Sequence, residues 1–166
     1  TGRNQHRVGF GLVAEFSGPF PGYNATIPRD CATLPRTLQE NGYMTAALGK
    51  WHLTPDTQQG SGGPFNRWPT GLGFDYFWGF LGGEAGQFDP LISENQKTIG
   101  VPEGKDGKPY YFPDDLSEKT IEWLHRVRAE KIRLDAQKIA ISTRILQQHF
   151  NPRLLLHEHC HRQRAH

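Results

Sequence analysis

The most chemically suggestive run in the sequence is Gly49-Lys50-Trp51-His52. At the end of a β-strand, residues two apart face the same way. Lys50 and His52 would then project together, with Trp51 on the opposite side. The Lys50 ammonium is a compact positive charge. The imidazole of a histidine donates a hydrogen bond or moves a proton near neutral pH. Such a pair suits a small oxyanion, and open α/β sheets bind ligands at the carboxyl ends of their strands. On spacing alone, a snorkelling lysine beside a structural histidine is the commoner arrangement. The surrounding elements must therefore position the pair before chemistry can be assigned to it.

Thr33 to Asn41 reads as a short helix. Thr33 can cap it, Pro35 is tolerated in its first turn, Leu34 and Leu38 share a face, and Gly42 can stop it. Tyr43 to Leu48 then reads as a strand entering the core. Residues 1–32 read as loop, broken most strongly at Gly18-Pro19-Phe20-Pro21-Gly22, and Trp51 to Thr70 as a polar, glycine-rich loop. The aromatic run Phe74-Asp75-Tyr76-Phe77-Trp78-Gly79-Phe80 reads as a short buried strand with tight turns. A second helix is expected from near Ser117, with Leu116 and Ile121 as a hydrophobic staple and Ile121, Leu124 and Val127 on its apolar face. Helix, strand, long loop and helix point to an α/β layer architecture.

Composition narrows the class. The chain has 166 residues, with 36% hydrophobic and 11% aromatic content, which is too apolar for a disordered chain. No stretch approaches the roughly 20 apolar residues of a membrane span. Two cysteines, Cys31 and Cys160, cannot make a disulfide framework. The net charge of +2 hides a split. His125 to His166 holds nine Lys or Arg against three Asp or Glu, a local +6, while the remainder is −4. All 19 glycines lie at or before Gly107, so a turn-rich region gives way to a glycine-free basic one.

The run Gly42-Tyr43-Met44-Thr45-Ala46-Ala47-Leu48-Gly49-Lys50-Trp51-His52 resembles the second signature of the sulfatases, G-Y-x-T-x-x-x-G-K-W-H, at every fixed position. Thr1-Gly2-Arg3 resembles the end of the first signature, C-x-P-x-R-A-x-L-x-T-G-R. Gly73 to Phe80 resembles the G-F-D-x-F-x-G-F stretch that follows in arylsulfatases, and Asp114 to Leu124 resembles a later helix. The resemblance implies part of an alkaline-phosphatase-like α/β sandwich with a central mixed β-sheet, here incomplete, and hydrolysis of a small-molecule sulfate ester. It implies a formylglycine nucleophile and a divalent cation, usually calcium, in the full-length family member. It also implies that Lys50 hydrogen-bonds a sulfate oxygen and that His52 contacts the nucleophile and assists proton movement. Arg3 would support the nucleophile turn, and Gly42, Gly49 and Trp51 would be structural.

The departures from the family pattern shape the expectation. Cys31 lies in Asp30-Cys31-Ala32-Thr33-Leu34, which lacks the C-x-P-x-R pattern, so it is not the nucleophile. The family's cation ligands have no counterpart in the sequence, so no calcium is expected to bind this chain alone. Residues 1–128 read as a partial sulfatase catalytic domain and residues 129–166 as a basic tail. That tail admits a native basic helix with Ile139 through Leu146 apolar enough to pack, a zinc cluster at His157, His159, Cys160 and His161, or a shifted reading frame. Three functional classes follow: a fragment of an arylsulfatase inactive alone, a non-catalytic binding remnant of the same fold, and a basic nucleic-acid-associated protein. The third is disfavoured, because the tail offers a single aromatic, Phe150, and no stacking platform; no nucleic-acid partner is expected. The compartment, cytoplasmic or periplasmic, and the oligomeric state stay open.

Overall fold

A computed structural model describes residues 1–149, with side chains through residue 135. The tail's candidate zinc residues and the apolar stretch Ile139 through Leu146 thus lie outside the described side chains. Two compact units are present, Thr1–Glu122 and Trp123–His166. The first holds a four-stranded mixed sheet, in the order β1 (Ala46–Lys50), β2 (Tyr76–Phe80), β3 (Ile92–Glu94), β4 (Lys97–Gly100). β1 and β2 are parallel, with Ala46 opposite Tyr76 and Lys50 opposite Phe80. β2–β3 and β3–β4 are antiparallel.

The helix α1 (Leu34–Glu40) is held by its caps. Thr33 Oγ1 accepts from Arg36 N at 3.3 Å, and its hydroxyl donates to the Leu72 carbonyl. Leu34 is exposed, so the expected apolar face of α1 is not buried. The first strand lies later than expected, at 46–50 and not 43–48. Tyr43 and Met44 are exposed, and Thr45 is the first buried residue of the run. Thr45 also sets the start of the ladder. Its backbone N–H donates to Asp75 Oδ2 at 2.8 Å, and its carbonyl accepts from Asp75 N at 2.9 Å. The Thr45 hydroxyl lies 2.9 Å from both the Gly73 carbonyl and Asp75 Oδ2. Burial pushes the Asp75 carboxyl up, but its bonds from Gln39 and Thr45 outweigh that and leave it below its ordinary value.

Two regions read as loop contain short 3-10 turns, at Gln5–Val8 and Ala14–Phe16 in the first and at Asp56–Gln58 and Phe65–Arg67 in the second. The β3–β4 hairpin was not expected at all. It closes through Asn95-Gln96, with Asn95 in the left-handed region at φ 54°. Asparagine tolerates that conformation, which the two-residue turn demands.

The main core cluster joins Trp68, Phe77 and Leu81, with Trp51, Phe65 and Ala47 packed against it. The buried Trp68 Nε1 donates to the Gln58 carbonyl at 2.7 Å. A second cluster of Val8, Ile27 and Cys31 lies under the N-terminal segment.

The helix α2 (Phe112–His149) begins five residues before the expected Ser117. Pro113 suits the first turn, and Asp114 and Asp115 complement the positive end of the helix dipole. Ser117 does not cap, because its hydroxyl donates back to the Pro113 carbonyl at 2.9 Å. Leu116 and Ile121 are therefore interior helix residues and make no staple, and Ile121 and Leu124 are exposed. Asp115 docks the helix start on the sheet. Its Oδ2 accepts from Trp78 Nε1 at 2.9 Å and from the Tyr110 hydroxyl at 2.7 Å. Burial first, and then that carboxylate, push the Tyr110 phenol well above its ordinary value. Lys119 Nζ sits 4.7 Å over the Trp78 ring. Among the described residues no helix is long and apolar enough to cross a membrane.

Gly79 lies opposite Gly49 in the parallel ladder, and a Cβ built there overlaps the Gly49 carbonyl oxygen. Gly79→Ala is therefore expected to destabilise the first unit by about 1–3 kcal/mol or more, the usual range for forced overpacking. Gly60→Ala, with nothing within 4 Å of its added methyl, should change stability by only a few tenths. Urea melts followed by tryptophan fluorescence would check this. Equal midpoints for the two variants would show that the strands do not approach as described.

Candidate active site

The parallel β1–β2 pair ends at Lys50 and Phe80, and the chain beyond both strands stays in register for two more residues. Trp51 N donates to the Phe80 carbonyl and His52 N to the Leu81 carbonyl, each at 3.0 Å. This extension carries the backbone from the exposed Lys50 to His52 at the carboxyl end of the sheet. The simple two-residue alternation does not extend that far. His52 has φ 57°, in the left-handed region, where a non-glycine residue costs about 1–3 kcal/mol. That turn, and not the pleat, sets the direction of the ring.

Trp51 does face away from the site. It packs against the Trp68–Phe77–Leu81 cluster and meets Phe74 edge-on, with ring centroids 5.7 Å apart. Its Nε1 is buried without a hydrogen-bond partner among the described residues. Replacing Trp51 by phenylalanine thus removes packing volume and no hydrogen bond.

Glu15 is the site residue that sequence reading missed. The 3-10 turn Ala14–Phe16 is anchored by the buried Ala14 and presents the Glu15 carboxylate to His52. Both carboxylate oxygens lie 2.7 Å from His52 Nε2. His52's side chain is 21% exposed and Glu15's 41%. The His52 hydrogen bond first, and then the backbone N–H of Glu15 itself, hold this carboxyl below its ordinary value, and the charges of His52 and Lys50 add to that pull. His52 contacts the Glu15 carboxylate directly, whereas Lys50 acts on it only through its charge, with no ion pair or hydrogen bond between them among the described residues. Gly83, three residues past β2, makes room for the pair, since a Cβ there would overlap Glu15 Oε1 and sit 2.8 Å from His52 Nε2.

Arg3 is placed differently. Its Nη2 donates to the Asp30 carbonyl at 3.4 Å, and among the described residues no hydrogen bond joins it to Lys50 or His52. Cys31 is buried and its thiol faces Asp30 Oδ1 at 3.7 Å. No three His, Cys, Asp or Glu side chains among the described residues form a group that could hold a metal ion. The described side chains around Lys50 and His52 therefore do not fit a calcium site.

Because the folded-state value of Glu15 is depressed, its contact with His52 contributes above the ordinary carboxylate range and is lost as pH falls through the lowered folded value. In a carbon-13 NMR titration of the Glu15 carboxyl, His52→Gln should move the midpoint upward, toward an unpaired carboxylate. An unmoved midpoint would break the assigned pair.

Comparison with known proteins places this chain in a family. The model for sulfatases matches residues 1–151. An uncharacterized sulfatase of Schizosaccharomyces pombe is 32% identical over 145 residues, covering 75% of this chain and 24% of that protein. An N-acetylglucosamine-6-O-sulfatase of Bacteroides thetaiotaomicron is 32% identical over 127 residues, covering 75% of this chain and 17% of that protein. The chain thus spans about a quarter or less of the length of these relatives. Among solved structures, the crystal structure of Ps i-CgsB superposes with a TM-score of 0.54 at 26% identity, covering 75% of this chain and 28% of that one. The chain belongs to the sulfatase family, and its incomplete mixed sheet with flanking helices is part of that family's alkaline-phosphatase-like fold.

Proposed function

We propose that these residues form the sulfate-recognising strand end of an arylsulfatase-type sulfuric ester hydrolase. The substrate would be a sulfate ester of a phenol or alcohol, released as the free hydroxyl compound and sulfate. One observation carries this reading: the G-Y-x-T-x-x-x-G-K-W-H run leads into β1, places Gly49 and Lys50 at its carboxyl end, and sets His52 two residues beyond it, bonded to Glu15. The exposed Lys50 ammonium is free to meet a sulfate oxygen. It would neutralise charge that shifts onto the sulfate oxygens and the leaving group as the S–O bond breaks. Glu15 fixes His52 by accepting from Nε2–H, which leaves Nδ1 as the ring atom that takes or returns a proton. The exposed Arg3, bonded to the Asp30 carbonyl, would support the backbone near Thr1 and not touch the ester.

The sequence contains no cysteine in a C-x-P-x-R context. The 166-residue chain expressed alone should therefore not turn over nitrocatechol sulfate, and turnover in the ordinary enzyme range of about 1–10³ s⁻¹ would contradict the proposal.

In the full-length protein, Lys50→Ala should lower kcat/KM by about 10²–10³, the loss usual for one preorganised donor. Lys50→Arg should restore it only in part, because a planar fork replaces a point charge. His52→Ala should slow turnover and alter its pH dependence, while Trp51→Phe should lower Tm with kcat/KM retained. Steady-state kinetics across pH with a chromogenic sulfate, alongside thermal melts, would measure all four. Full activity in Lys50→Ala would mark the strand end as non-catalytic.

A further inference from the structure

A cleft of about 440 Å³ opens between the segment 28–33 that leads into α1, α1 itself and the turn at 66–72. It shares no lining residue with Lys50, His52 and Glu15. Three guanidinium side chains line it, those of Arg29, Arg36 and Arg67, against two carboxylates, Asp30 and Glu40. Arg36 is committed to structure: its Nη1 donates to Gln39 Oε1 at 2.7 Å and its Nη2 to the Gly71 carbonyl at 3.3 Å.

Arg29 and Arg67 differ from Arg36. Among the described residues neither guanidinium makes a hydrogen bond or an ion pair. Asp30 and Glu40 face the same cleft without pairing to them. Arg67 is half-buried, and burial first, then the positive charge of Arg29, pull it below its ordinary value. Two like charges held near each other in a concavity, one of them partly desolvated, are individually unfavourable. An oxyanion between them would relieve both costs at once. A guanidinium fork also matches a tetrahedral oxyanion through two parallel N–H bonds.

We propose that this cleft is an oxyanion-binding subsite, separate from the strand-end site, in which Arg29 and Arg67 together hold one sulfate or phosphate group. The group is either a free ion or the ester group of a larger molecule. Arg36, tied to Gln39 and the Gly71 carbonyl, lines the same cleft. Asp30 and Glu40 keep the cleft from being uniformly positive, so the subsite selects a localised anionic group over a broad polyanionic surface.

The test uses the full 166-residue chain and the Nε–Hε resonances of its arginines. Sodium sulfate, sodium phosphate and N-acetylglucosamine 6-sulfate are each titrated against sodium chloride at matched ionic strength. The Arg67 and Arg29 signals should shift saturably with the oxyanions and not with chloride. Saturation by inorganic sulfate or phosphate assigns a free ion, and tighter saturation by the sugar sulfate assigns an ester-borne group; either supports the subsite. Arg29→Ala and Arg67→Ala should each weaken binding about tenfold or more. Lys97→Ala, exposed on β4, should not. Arg29 is an exposed side chain that makes no hydrogen bond or ion pair among the described residues, so its variant keeps the test informative even where Arg67→Ala fails to fold. Three results would overturn the proposal: chloride matching the oxyanions, unchanged affinity in both arginine variants, or loss of the shifts on Lys50→Ala. The last would place the ion at the strand end instead.

Discussion

The close parallel approach of Gly49 and Gly79 is the constraint on which the rest of the site depends. Their backbones face each other across the ladder with no side chain between them. That approach keeps β1 and β2 in register through Lys50 and Phe80. It lets the pairing run on to His52, whose N–H meets the Leu81 carbonyl, and brings Gly83 against the imidazole. The amino end of the same pair is pinned by Thr45 and Asp75, whose backbone and side-chain bonds join the two sequence motifs directly. A ladder fixed at both ends leaves little freedom in where its last residues point. The left-handed turn at His52 can therefore be held despite its cost.

The docking of α2 shows which polar interactions weigh most. Lys105–Glu118 and Lys119–Glu122 are ion pairs near solvent, and such pairs contribute about 0–1 kcal/mol. The Asp115 carboxylate instead takes bonds from two largely buried donors, Trp78 Nε1 and the Tyr110 hydroxyl. Hydrogen bonds to a charged partner are worth about 1.5–3 kcal/mol each. Removing that one carboxylate would also strand both donors. The first turn of α2 is thus tied to β2 by Asp115 more than by its surface charges, and Leu116 covers Gly49 from the same turn, 3.8 Å from where a Cβ would stand.

Much of this was legible in the sequence, for identifiable reasons. The Thr33 cap, the Phe74–Phe80 strand and the run ending in Lys50 and His52 are all local patterns, and each appears close to its expected place. The strand's true start was not legible, because Tyr43 and Met44 look like strand residues but stay at the surface. The early start of α2 was obscured by Pro113, which reads as a breaker unless it falls in a first turn. The β3–β4 hairpin carried a readable signal, Asn95 between two short alternating runs. Glu15 carried none: it lies 37 residues from His52 in a segment without periodicity. Gly83, in the bend after β2, leaves the space that the pair occupies. Long-range side-chain pairs between loops have no period to read, which is why the residue nearest the candidate histidine emerged only from the fold.

The central claim is that the carboxyl end of β1 receives the sulfate group with Lys50 and a Glu15-held His52. The most direct measurement is a crystal structure of the full-length protein with a slowly hydrolysed sulfate ester bound. The account predicts Lys50 Nζ within about 2.7–3.2 Å of a sulfate oxygen, the His52 ring beside the ester, and Glu15 still on Nε2. A sulfate group bound elsewhere, with Lys50 turned to solvent and His52 holding only Glu15, would contradict it.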